Sequence, residues 1–393
     1  MAQATTGLKQ HAIPYFLPTI GEAEIQSVVE TLRSGWLTTG PKTKQFEQLF
    51  AEKVGVKHAI AVNSCTAALH LALEAIGVGR DDEVLVPTMT FASTAEVVVH
   101  LGAKPVLVDV LPDTLAIDPA LIEAKITPRT KAIMPVHYAG QPADMDPILD
   151  LAKRRGLRVI DDAAHAIPAA YKGRPVGILG DVTAFSFYAN KTITTGEGGM
   201  ITTKDDALAD RMRIMSLHGI SRDAWKRFSA EGSWFYEITA AGYKDNMTDV
   251  ASSLGIHQLA QSEEFWKARS ERAAWYTELL ADIPEVATPP LLPNVQHAWH
   301  LYVIQVQPER LSITRNQFIE KLNAAGVGTS VHYTPLHLHP YYRDVWGYRP
   351  EDLPVARDAY QKIISLPLYP RLTRSDLEKV VDVIASISRE NRR

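Results

Sequence analysis

The sequence predicts an α/β protein, with a large domain on a mostly parallel central sheet of about seven strands flanked by helices, followed by a smaller C-terminal α+β domain. Three observations carry this. Short apolar runs alternate with segments of helical spacing over roughly the first half of the chain. Most of the runs are near-continuous β-branched stretches, as expected of strands buried on both faces. Beyond residue 250 the alternation gives way to one long helical stretch, a Pro-rich segment and a few separate elements. The boundary is therefore placed at 1–250 for the large domain and 251–393 for the small one.

Taken in order, residues 22–32 put Ile25, Val28, Val29 and Leu32 on one helical face. Gly35, Gly40 and Pro41 break that pattern into a loop. A second helix from residue 42 turns Phe46, Leu49, Phe50 and Val54 inward. Strands are expected at 59–62, 83–87, 105–110, 132–136, 157–160, 182–187 and 199–202. Helices are expected between several of them, at 66–76, 92–101, 119–125 and 143–155. Residues 205–218 read as a further helix, and 219–242, which has no clear period, as a surface excursion. A helix over 248–280 leads out of this domain, and 288–293 is a Pro-rich linker or edge. A strand at 300–307, a helix at 317–325, a strand at 328–333 and a helix at 377–388 complete the chain.

Bulk properties exclude several functions. The 393 residues carry a net charge of −4, so no basic field is available to hold nucleic acid. The first ten residues lack the apolar core of a signal peptide, and no apolar run is long enough to cross a membrane. Cys65 is the single cysteine, which rules out an internal disulfide, an all-cysteine zinc site and a cysteine-held iron–sulfur cluster. No metal site is expected, and the protein is placed in the cytoplasm.

In open α/β sheets, ligands bind outside the carboxyl ends of the strands. Four such ends carry suitable chemistry. After Val62 comes NSCTAA (63–68), small and polar and opening a helix. Its amides and hydroxyls suit an anion, and Ser64 or Thr66 equally suits a helix cap. After Val86 comes Phe91, either a stacking platform or a core aromatic. After Ile160 come Asp161 and Asp162, carboxylates that are costly at a buried strand end unless they cap a helix or meet a cation. After Phe187 comes Lys191, a lone lysine ahead of the glycine-rich TTGEGG (194–199). Desolvation lowers a lysine's pKa, and the neutral amine can add to an aldehyde. A phosphate cradle, an aromatic plate, a carboxylate and a lysine are together the requirements of pyridoxal 5′-phosphate (PLP).

With these pieces quoted, the chain resembles the DegT/DnrJ/EryC1/StrS family of sugar aminotransferases, which have the type I PLP fold. The resemblance runs from GWLTTGP (35–41) to SVHYTPLH (330–337). It is most specific at NSCTAALH (63–70), DDAAHA (161–166) and FSFYANK (185–191). It implies that Lys191 holds the cofactor covalently and moves protons, and that Asp162 rather than Asp161 pairs with the pyridine nitrogen. It places His165 near the phenolic oxygen, Phe91 on the ring, and Thr66, Ala67 and Ser186 on the phosphate. A side chain from the partner subunit completes that phosphate site, which implies a homodimer. The matching segment is GYKDNMT (242–248), where Asn246 is the candidate. Relatives carry Asn where this chain has Lys244 and Arg where it has Asn246, so either side chain is open.

The resemblance also implies glutamate as amino donor and a keto sugar as acceptor. HGISRDAW (218–225) with VHYAGQPAD (136–144) resembles members that aminate C4 of nucleotide-linked 4-keto sugars for polysaccharide or amino-sugar biosynthesis. C3 amination, a cyclitol ketone and a non-catalytic regulator on the same fold are the alternatives. Trp36, Thr39, Arg222, His332 and Tyr333 lie in segments that border the sugar-nucleotide pocket in relatives.

Overall fold

The computed structural model describes residues 12–221 and 236–393. Thirteen strands are formed among them: β1 (His58–Val62), β2 (Glu83–Pro87), β3 (Lys104–Val108), β4 (Thr130–Ile133), β5 (Arg158–Asp162), β6 (Ala170–Tyr171), β7 (Arg174–Pro175), β8 (Val182–Ser186), β9 (Gly199–Thr203), β10 (Val286–Ala287), β11 (Val295–Gln296), β12 (Tyr302–Val306) and β13 (Ile363–Leu366). Seven make the central sheet, in the order β1-β9-β8-β5-β4-β2-β3. Within it, β3, β2, β4, β5 and β8 are parallel, and β9 runs antiparallel between β8 and β1. The seven are the seven apolar runs expected from the sequence.

Alternation along each strand feeds two apolar layers. In β2, Leu85 packs with Phe46, Phe50, Phe185 and Ile133 on one face. Val84 and Val86 point the other way, with Ile60, Leu69, Val97 and Ile160. Helices cover both faces, so the strands are apolar on both sides. The helix Pro41–Val54 is pinned at its start by Asp249, whose carboxylate accepts from the amides of Gly40, Lys42 and Thr43.

The C-terminal part has its own core around Tyr276, Tyr302, Ile304, Phe318 and Leu377. The antiparallel sheet β10-β12-β13 lies there with the helices Ser262–Leu279, Arg315–Ala324 and Arg374–Glu390. The expected helix over 248–280 is two helices, Asp249–Ala260 and Ser262–Leu279. The break falls at Gln261, whose side-chain amide is drawn to Glu24 Oε1 at 2.6 Å. Asp249–Ala260 packs on the helices Glu22–Ser34 and Pro41–Val54. The expected strand at 328–333 is reduced to one bridge, Ser330 to Ser365.

One helix is inverted relative to a simple amphipathic reading. Glu22–Ser34 buries Glu24, Ser27 and Thr31, while Ile25 is 48% and Leu32 53% exposed. The polar side is drawn inward because Glu24 Oε1 accepts from the side chains of both Gln258 and Gln261.

Candidate active site

The strand ends converge on a cavity of about 440 Å³. It is lined by Ser64, Cys65 and Thr66 after β1, Phe91 and Ser93 after β2, Asp162 and His165 at the end of β5, and Ser186, Tyr188 and Lys191 at the end of β8. His332 and Tyr333 close it from the C-terminal part.

The first end is a capped helix. Ser64 is the N-cap of Cys65–Ala75, and its Oγ accepts from the Ala67 amide at 3.1 Å. That settles Ser64 over Thr66 as the cap and leaves Ala67 buried with its amide already engaged. The amides of Cys65 and Thr66 have no acceptor among the described residues, and the Thr66 side chain faces the cavity. Two amides at a helix N-terminus, with Thr66 and Ser186 lining the same cavity, have the chemistry to hold an anion. Gly199 lets the backbone pass, since a Cβ there would lie 2.6 Å from the Ser64 carbonyl carbon and oxygen.

Phe91 is 59% exposed and lines the cavity, so it is not the core aromatic that an isolated phenylalanine usually is. The two aspartates of β5 separate by alternation. Asp162 faces the cavity, where Oδ2 accepts from Thr94 Oγ1 at 2.7 Å and Oδ1 from the Ala164 amide at 3.1 Å. Asp161 points to the opposite side, accepting from the Gly180 amide and Thr183 Oγ1. Burial pushes the Asp161 carboxyl up to about 7, with the Asp181 and Asp162 charges adding to it. The Asp162 carboxyl is also raised by burial, against the Thr94 and Ala164 hydrogen bonds and the Lys191 charge. Among the described residues no Lys, Arg or His nitrogen is within ion-pair distance of Asp162. A buried carboxylate aimed into a cavity without a cationic partner fits a ligand that brings its own positive nitrogen.

Lys191 sits on the turn after β8. Loss of water lowers its ammonium to about 8, opposed by the charges of Cys65 and Asp162. His165 donates to or accepts from Tyr333 Oη through Nε2 at 3.0 Å, and its Nδ1 is buried with no partner among the described residues. Burial first, then the Lys191 and His332 charges, hold His165 well below its ordinary range. His332 is likewise held low, to about 3, by burial and Lys191, and bonds Ser365 Oγ at 2.8 Å. The donor set of free amides and hydroxyls, an uncompensated carboxylate, an exposed aromatic face and a depressed lysine fits PLP.

Three residues expected at the site lie elsewhere in the protomer. Trp36 donates to the Thr39 carbonyl at 3.2 Å, and Asn246 Nδ2 donates to Thr39 Oγ1 at 2.7 Å. Thr39 and Asn246 line a second cavity of about 320 Å³, and the Lys244 ammonium is bonded to Asn246 Oδ1. The backbone of Asn246 bridges to Val62, the last residue of β1. Arg222 falls outside the described residues. His300, which lies in none of the sequence motifs, has Nε2 at 3.4 Å from Lys191 Nζ, and its only sequence signal is a histidine at the start of an expected strand.

This fold and this cavity define an aminotransferase of the type I PLP class. Residues 18–385 match the sequence model of the DegT/DnrJ/EryC1/StrS aminotransferase family. The chain is 50% identical over 380 residues to the spore coat polysaccharide biosynthesis protein SpsC of Bacillus subtilis, covering 96% of this chain and 98% of that protein. Spr1654 of Streptococcus pneumoniae, provisionally described as a sugar aminotransferase, superposes in its PLP form with a TM-score of 0.90 at 36% identity, covering 96% of this chain and 99% of that one. PseC of Helicobacter pylori, an aminotransferase in pseudoaminic acid biosynthesis, gives a TM-score of 0.90 at 29% identity, over 97% of this chain and 100% of that one. The chain belongs to the DegT/DnrJ/EryC1/StrS aminotransferase family and is a PLP-dependent aminotransferase.

Proposed function

We propose that the protein moves an amino group from glutamate to the C4 keto group of a nucleotide-linked deoxy sugar, in polysaccharide or amino-sugar biosynthesis. The observation that carries this is the single cavity joining Lys191, Asp162, Phe91 and the Thr66–Ser186 cradle. The sugar acceptor is supported by the relatives SpsC and PseC, whose names place them in polysaccharide and pseudoaminic acid synthesis.

When bound, PLP supplies an aldehyde carbon that an amine nitrogen can occupy and a ring that takes up electrons released at the neighbouring carbon. Lys191 anchors it and then, as a free amine depressed to about 8, accepts and returns a proton at the reacting carbon near neutral pH. With PLP bound, Asp162 would hold the ring nitrogen protonated, Phe91 would orient the ring, and Thr66 with Ser186 would fix the phosphate. His165 bonds the phenolic side, and His332 and Tyr333 border the sugar.

The active unit is a homodimer in the same reading. Ile25, Leu32, Trp36 and Leu37 are exposed apolar side chains, and Trp36 bonds the carbonyl of Thr39, the residue that Asn246 also bonds, which supports a face that meets another subunit. Through it, Asn246 or Lys244 of one subunit would reach the other's phosphate cradle. A screen of 4-keto and 3-keto nucleotide sugars with glutamate, read by mass spectrometry and product NMR, tests the substrate. Amination at C4 is expected. Amination at C3 alone, or of a cyclitol ketone alone, overturns it.

A further inference from the structure

Lys191 has a neighbour that no motif pointed to. His300 approaches it from the C-terminal part, with Nε2 at 3.4 Å from Lys191 Nζ. The imidazole is 4% exposed, and its Nδ1 has no partner among the described residues. Its backbone is held from two sides. The Arg269 guanidinium donates to the carbonyls of Trp299, His300 and Leu368, and the flanking residues Ala298 and Leu301 donate to Gly140 and Ala139. Gly140 has φ +101°, and a Cβ there would come within 3.1 Å of the His300 nitrogen and 2.9 Å of the His165 carbonyl. The His165 and His300 ring centroids lie 4.5 Å apart. The sequence has thus placed a buried, backbone-anchored imidazole against the one lysine that lines the cavity among the described residues.

We propose that His300 is a positioning residue for Lys191: its Nε2 accepts a hydrogen bond from the lysine and holds the free amine where it must wait between covalent attachment and proton transfer. This deepens the aminotransferase reading and rests on it for its purpose, although the contact itself requires no cofactor. The acceptor role, which puts the ring proton on Nδ1, follows from what the lysine can donate. Both the ammonium and the neutral amine have an N–H to donate, so an accepting Nε2 serves both protonation states of the lysine. A donating Nε2–H would serve only the neutral one. The imidazole itself stays neutral, because burial, the Lys191 charge, His165, Arg269 and His332 all oppose its protonation. Cys65 and Asp162 face Lys191 from the other strand ends and favour its charged form.

Accepting from an ammonium is worth more than accepting from an amine, so removing Nε2 lowers the lysine's pKa, by about one unit. The test is competitive acetylation of the apoprotein across pH, with mass spectrometry of the Lys191 peptide. In wild type the midpoint is expected near 8. His300→Phe, which keeps a ring but no acceptor, should lower it by about one unit, and His300→Gln should restore most of the difference. If the phenylalanine variant does not fold, His300→Ala with and without added imidazole replaces it, and imidazole should reverse the fall. A folded variant whose Lys191 midpoint is unchanged or raised overturns the proposal. Because the protein is read without cofactor, that result is distinct from a failure to bind PLP, which ordinary reconstitution would reveal.

Discussion

Asp161 and Asp162 are consecutive in β5 and point to opposite sides of the central sheet, one toward Gly180 and Thr183, the other into the cavity beside Thr94. Two identical side chains therefore face different tests. Asp162→Asn removes the carboxylate that lines the cavity and that we propose for the ring nitrogen, and is expected to cost on the order of 10²- to 10⁴-fold in turnover, the range of a lost acid–base partner. Asp161→Asn should leave turnover within about threefold of wild type, since a change on the far side of the sheet touches no reacting group. Steady-state kinetics of the two variants decide the matter.

Asp161 also predicts a pH effect on stability. Its ordinary value is 3.8, and in the fold it is held up to about 7. Between those values the folded state binds more protons than the unfolded chain, so stability falls as pH rises through that window. Asn mimics the protonated acid and lacks this loss. In thermal melts, the midpoint of Asp161→Asn relative to wild type should therefore climb steadily from about pH 4 to about pH 7. A constant gap would contradict the assignment.

Phe91 separates binding from stability. At 59% exposure its removal leaves the core intact, so Phe91→Ala should change unfolding free energy by no more than about 0.5 kcal/mol. The lost ring contact should weaken PLP binding by about 3- to 10-fold. Fluorescence titration of the apoprotein with PLP measures the second quantity, and denaturant melts measure the first.

Gly199 is where the glycine-rich tail acquires a reason. It ends the turn and pairs with Val62 and Ser186, with the Ser64 backbone against its Cα. A methyl group there has nowhere to go, and Gly199→Ala is expected to destabilise by about 1–3 kcal/mol. It should also loosen the anion cradle, seen as weaker PLP binding. Gly196, open to solvent with φ +80°, should tolerate alanine better in contact terms but pay in backbone strain.

Much of this was legible in the sequence. The seven central strands were marked by buried β-branched runs, and the ends carrying Thr66, Phe91, Asp162 and Lys191 do meet at one cavity. Choosing Asp162 over Asp161 needed the family motif, although period-two alternation states the same distinction once strand direction is fixed. The helix Glu22–Ser34 was legible as a helix but not in its orientation, because side-chain amides from residues 258 and 261 draw Glu24 inward. His300 escaped because its meaning lies in a contact with a residue 109 positions away. Ala67 illustrates the reverse: its segment matched, but Ser64 takes its amide.

Lys191 and its cavity are expected to perform amino transfer on PLP. The most direct measurement is a single-turnover experiment on the reconstituted protein, in which glutamate is added without acceptor and absorbance is followed as 2-oxoglutarate is quantified. Wild type is expected to lose its visible band and release one 2-oxoglutarate per site, and Lys191→Ala to show neither the band nor the product. A wild-type protein that binds PLP at Lys191 and leaves glutamate unconverted would contradict the account.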